Sequence, residues 1–210
     1  RSHYPGFDVM TQQDHWDPHT RRVVAARLQP PRRPTGLKEH EVQTLKAVIG
    51  HLLHEDREPL LDFVVAHFHD RLSNSVGEGQ REQGVPPEAQ LIRNGLAALD
   101  AVASQRHGKP FRECSSQEQF QILAPLQQGQ LEGTGPMASI PQKALFKKLL
   151  SLAVEAYASH PTVWSEIGYA GPAYPRGYYR IERGLTDPWE ARRPPAATAP
   201  GRDWEGHPNG

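Results

Sequence analysis

Between residues 38 and 158 the apolar residues return at steps of three and four in one stretch after another, and that rhythm restricts the chain to packed amphipathic helices. Val42, Leu45, Val48, Ile49, Leu52 and Leu53 share one face and predict a helix over 38–54. After the charged turn Glu55-Asp56-Arg57-Glu58, Pro59 suits the first turn of a second helix, on which Leu61, Val64, Val65, Phe68 and Leu72 align. Pro86-Pro87 introduces a third helix to His107, lined by Leu91, Ile92, Leu96, Leu99 and Val102, with Gly108 placed as a left-handed cap. Ser115-Ser116-Gln117-Glu118 carries the Ser-x-x-Glu capping box ahead of Phe120, Ile122, Leu123 and Leu126, although Pro125 is expected to kink or shorten that helix. A loop over 129–140 leads to Pro141 and a fifth helix with Leu145, Phe146, Leu149, Leu152, Ala153, Ala156 and Tyr157. No run alternates apolar and polar residues as a half-buried strand must. The expectation is all-α: a compact bundle of about five core helices with long irregular N- and C-terminal arms.

The flanks read differently. Residues 1–36 are expected to be an N-terminal arm with one short helix over Asp17–Leu28, capped by Asp17 with Pro18 in its first position, before the extended Gln-Pro-Pro-Arg-Arg-Pro stretch. The helical core then covers 37–160, interrupted by a Gly- and Gln-rich surface loop over 74–84. Residues 161–190 form an aromatic loop rich in Gly and Pro, packed on the core or on a partner, and 191–210 a flexible tail. A chain of 210 residues is long enough for one core, and its 20 prolines and 18 glycines gather at the ends and between the periodic stretches.

Charge and motif content exclude several functions. Lysine plus arginine and aspartate plus glutamate both number 24, so there is no basic field to hold nucleic acid. The most apolar stretch, 144–158, contains Lys147, Lys148 and Glu155, so no direct membrane span is expected. The first residues show no hydrophobic signal core, so either a leader was removed or there never was one, and the expectation is a soluble protein, cytoplasmic or, by the resemblance given below, periplasmic. Gly-rich nucleotide loops, the Gly-Lys-Ser/Thr phosphate loop and the Gly-x-Ser-x-Gly elbow are all missing. One cysteine, Cys114, excludes an internal disulfide and any Cys-x-x-Cys site. Cys114 with His107 could in principle be a nucleophile and base, yet a lone cysteine before a capped helix is usually just a small residue.

Histidine carries the one chemical alternative. There are 11, and His51 and His54, three apart on one helix, could share an ion with oxygen from Glu55 or Asp62. Against this, His67 and His69 point roughly 200° apart around their helix, and no Glu-x-x-His pair of the di-iron bundle type occurs. Glu55, Asp56 and Glu58 lie at a helix junction, where carboxylates favour the positive end of the helix that follows.

The most distinctive segment is Tyr157-Ala-Ser-His160-Pro161-Thr-Val-Trp164-Ser-Glu166-Ile-Gly168-Tyr169-Ala-Gly171-Pro172-Ala-Tyr174-Pro175-Arg-Gly177-Tyr178. Pro161 stops the preceding helix, and the glycines and prolines set Trp164, Tyr169, Tyr174 and Tyr178 in irregular backbone. This pattern resembles the C-terminal signature of the gluconate 2-dehydrogenase subunit 3 family, and the opening Tyr4-Pro5-Gly6-Phe7-Asp8-Val9 with Asp14-His15-Trp16-Asp17-Pro18 is similar to members of it. The resemblance covers roughly residues 4–190. It implies a small accessory subunit with no catalysis and no cofactor of its own, bound to a large FAD-containing dehydrogenase of the glucose-methanol-choline class, often alongside a cytochrome c subunit. Relatives with a twin-arginine leader are exported to the periplasm; here Arg21-Arg22 is followed only by Val-Val-Ala-Ala-Arg, too brief an apolar run for such a leader. Trp16, Trp164, Glu166, Tyr169, Tyr174 and Tyr178 are the expected partner contacts, with the packing of their own unit as the competing use of the Trp and Tyr rings. A stand-alone metal-dependent enzyme built on His51, His54 and Asp62, and a scaffold for a different partner, are the other readings.

Overall fold

The computed structural model describes residues 2–31, 36–73, 82–132, 135–180 and 183–192. Most of the expected 74–84 loop, and the tail beyond 192, lie outside them. Seven α-helices occur among the described residues: α1 (Pro18–Ala26), α2 (Glu39–Leu53), α3 (Glu58–Ser73), α4 (Glu88–His107), α5 (Ser116–Gln128), α6 (Gln142–Tyr157) and α7 (Pro161–Ile167). No strand is present among the described residues, and the fold is all-α. The chain divides into two units, one made of Arg27–His160 and the other of Arg1–Ala26 with Pro161–Gly210.

The larger unit is the five-helix body that the periodicity predicts. α6 contacts α2, α3, α4 and α5, and its Leu145 and Leu149 stripe is buried with Leu45, Ile49, Phe68, Leu96, Leu99, Ile122 and Leu126. Gly95, in mid-α4, is where α4 and α6 come closest: a Cβ there would overlap the Leu145 side chain. The ends follow local chemistry. Lys38 N–H donates to Glu41 Oε2 at 2.7 Å to open α2. Ser115 and Glu118 form the reciprocal capping box of α5, and Gly108 closes α4 at φ 70°. Pro125 does not cut α5 short. The helix runs on to Gln128, and the carbonyl left without its usual donor belongs to Gln121, a solvent-exposed residue.

Polar side chains tie the loops down. Asp100 accepts from Thr44 Oγ1 and from Phe111 N–H at 2.9 Å, and Gln142 brackets Leu131 with two 2.9 Å bonds, donating to its carbonyl and accepting from its N–H. Within the expected 129–140 loop, a 3-10 turn at Gly135–Ser139 buries Met137 against the core. At the junction of α2 and α3, Glu55 is buried as a carboxylate. It accepts from Asp56 and Arg57 N–H at 3.0 Å each, from Arg57 Nε at 2.9 Å and Nη2 at 2.6 Å, and from the Tyr157 hydroxyl of α6 at 2.8 Å. The Arg57 guanidinium holds its pKa far below the ordinary carboxylate range, outweighing the opposite push of burial; the two N–H groups and the Tyr157 hydroxyl act with it.

In the smaller unit a 3-10 helix at Val9–His15, within the expected N-terminal arm, precedes α1. α1 matches the expected short helix, with Asp17 Oδ1 accepting from His19 N–H at 2.9 Å and Pro18 first in the helix. Trp164 departs from expectation: Pro161 not only follows the end of α6 but takes the first position of α7, so Trp164 is helical and not in a loop. Among the described residues no helix is long and apolar enough to cross a membrane.

Candidate functional site

In the smaller unit the two ends of the chain interlock through aromatic rings and glycines. Val9 N–H donates to Ser165 Oγ and His3 N–H to the Glu166 carbonyl, each at 3.0 Å. Val9, Trp16, Val24 and Trp164 form an apolar cluster. Gly168 and Gly171 have φ of 77° and 84°, a region that favours glycine, and a Cβ on the first would overlap the Tyr4 ring and on the second the Trp16 ring. The spacing in Trp-x-Glu-Ile-Gly and Gly-Pro-Ala thus has a physical reason: each glycine leaves room for a ring from the N-terminal segment.

This interlock sorts the expected contact residues. Trp16 is 3% exposed and Trp164 6%, so both rings serve the interior of their unit. Glu166 is half-buried. Tyr169 stacks edge-on against Trp164 with ring centres 5.2 Å apart yet keeps an exposed edge, and burial pushes its phenol pKa up. Tyr178 is exposed as well, and Tyr174 is 71% exposed. Four further apolar residues of the unit, absent from the sequence expectation, face solvent: Val23, Ile167, Leu185 and Tyr179, the last at 61%. Their one sequence signal was the doubled tyrosine at 178 and 179.

The exposed tyrosines stand on braced backbone. Arg176 Nη2 donates to the Ala170 carbonyl at 2.5 Å and lies 3.3 Å from that of Gly171. Its guanidinium carbon sits 5.0 Å from the centre of the buried Trp189 ring, and burial lowers its pKa. Tyr179 meets Trp189 edge-on at 5.4 Å, and His15 tilts against the same ring at 5.7 Å. These contacts tie a loop rich in Gly and Pro to the Trp189 ring.

The histidine candidates do not converge. His51 Nε2 is 2.9 Å from Gln119 Oε1, which accepts from it. His54 falls beyond α2 in the left-handed region at φ 51°, which ends the three-residue spacing that would have aligned it with His51. Asp62 pairs with Lys46 at 2.5 Å. Glu55 is committed as described, His69 Nδ1 accepts from Gly36 N–H at 3.3 Å, and His67 faces Glu155 at 3.5 Å. Among the described residues no three His, Cys, Asp or Glu side chains converge as a metal site would require. Cys114 is buried with its sulfur 3.6 Å from the Pro110 carbonyl, and desolvation pushes its thiol pKa up, away from nucleophilic character. His107 faces Glu118 at 3.6 Å.

No curated protein and no solved structure matches the chain. The profile described as Gluconate 2-dehydrogenase subunit 3 does, from the first turn of α2 to Gly171, so that the opening Tyr4–Val9 segment lies outside the match. Since residues 39–171 make up more than half of its length, the chain belongs to the gluconate 2-dehydrogenase subunit 3 family.

Proposed function

We propose that this protein is the non-catalytic small subunit of an FAD-dependent sugar or alcohol dehydrogenase, and that it binds, stabilises or helps mature a large flavoprotein of the glucose-methanol-choline class. The family name supports a place in a multi-subunit dehydrogenase. The observation that carries the finer reading is the set of exposed rings Tyr169, Tyr174, Tyr178 and Tyr179, with Ile167 and Leu185, on the braced backbone of the smaller unit. Tyrosines presented this way lose little freedom on binding and are typical anchors of protein interfaces. FAD and the catalytic base belong to the large subunit, and a cytochrome c subunit is a fitting third member.

Co-expression with a large FAD-containing dehydrogenase of the glucose-methanol-choline class from the same source is the direct experiment. The proposal expects one peak in size-exclusion chromatography that contains both chains and absorbs at flavin wavelengths. Separate elution of two folded proteins, or substrate turnover by this chain alone, would overturn it.

A further inference from the structure

In the larger unit, Lys143, Lys147 and Ser151 recur at four-residue steps on the exposed side of α6 and form one stripe. With Ala144 and Lys148 beside it, that stripe walls a groove of about 440 Å³ whose other lining is Glu82, Val85 and Leu91. The apolar part of the lining is Val85, Leu91 and Ala144. The cations around it are unequal. Lys148 is already paired with Glu88 at 2.9 Å, whereas among the described residues Lys143 and Lys147 pair with no carboxylate. Glu82 offsets only part of this charge, so a chain of zero net charge carries a local cationic groove with a partly apolar lining.

We infer that this groove receives an extended acidic segment of the partner subunit, with a Glu-x-Glu-x-Leu pattern. The spacing argues for it. Four helical residues separate the Lys143 and Lys147 positions by about 6 Å along α6, and alternate residues of an extended chain stand about 6.6 Å apart on one face. Two carboxylates at that repeat meet the two ammonium groups, and the next residue on the same face drops an apolar side chain toward Leu91. A small anionic ligand fits less well, because such sites fix their ligands with rigid polar groups, while this groove offers two flexible ammonium stems and one exposed hydroxyl. The inference rests on the reading of this chain as a subunit with a partner.

The test uses the full chain and a fluorescein-labelled peptide, Ser-Glu-Ser-Glu-Ser-Leu-Ser, followed by fluorescence anisotropy. Saturable binding is expected, weakened about tenfold or more in the Lys143→Glu/Lys147→Glu variant and suppressed by about 0.5 M salt. Lys143→Gln/Lys147→Gln, which removes charge without reversing it, guards against misfolding and is expected to lose about threefold. Absence of saturable binding, equal affinity for both variants and wild type, or equal affinity for a peptide with glutamine at both glutamates overturns the inference; so does displacement by octanoate as effective as by unlabelled peptide. Peptide failure with flavoprotein capture intact removes the groove alone. Peptide binding without flavoprotein capture supports the groove and removes the flavoprotein reading.

Discussion

Replacing Glu55 by glutamine is expected to expose how much of the larger unit depends on one buried charge. The carboxylate receives both arms of Arg57, the Tyr157 hydroxyl of α6 and two backbone N–H groups, so it joins the α2–α3 junction to the central helix. Glutamine keeps one accepting oxygen and turns the other into a donor facing donors. Breaking a buried ion pair by removing one partner costs about 3–5 kcal/mol. Arg57 remains 35% exposed and can hydrate once released, so the low end, about 3 kcal/mol, is the expected loss near neutral pH. The pH dependence has a definite sign: the folded pKa of Glu55 lies below its unfolded value of about 4.3, so its stabilisation is complete above that value and is lost as pH falls through the folded one. Urea unfolding of wild type and Glu55→Gln at about pH 7 and about pH 3 measures this, and the gap between them should narrow in acid. A gap under about 1 kcal/mol at neutral pH, or one that does not change with pH, would refute the placement of this charge.

Gly171→Ala should destabilise the smaller unit by about 3 kcal/mol or more, since a left-handed alanine costs roughly 1–2 kcal/mol and its methyl group would overlap the Trp16 ring; hydrogen exchange at the Val9 and His3 amides should accelerate, and unchanged protection would contradict the interlock. Cys114 should react with a thiol reagent at least about tenfold more slowly in the native chain than in urea, because the thiol is buried and its pKa raised; equal rates would place it at the surface.

The helical body was legible because its information is local. Apolar steps of three and four, the Ser115–Glu118 box and Gly108 each act within a turn of themselves, and α2, α4 and α5 lie close to where those signals put them. His54 departs from the predicted helix because nothing in its neighbourhood announces that α2 ends one residue earlier with a left-handed histidine, which withdraws it from the face of His51. Pro161 was legible as a stop, yet the same fixed φ that prevents a helix from continuing also begins the next one, and so Trp164 became helical. The fit of Tyr4 over Gly168 and Trp16 over Gly171 joins residues more than 150 positions apart, and no local pattern encodes it. The Lys143–Lys147 groove was hidden for another reason: a balance of 24 against 24 charges says nothing about where they cluster.

The central claim is that the outward tyrosines of the smaller unit hold the flavoprotein while the inward tryptophans hold the unit together. Its most direct measurement is the dissociation constant of the purified complex for wild type and for Tyr174→Ser/Tyr179→Ser, taken with the melting temperature of the free small subunit. Loss of an anchoring ring costs about 2 kcal/mol or more, so affinity should fall at least about 30-fold while the melting temperature stays within about 2 °C of wild type. Unchanged affinity, or a fall in melting temperature that accounts for the lost binding, would contradict the claim.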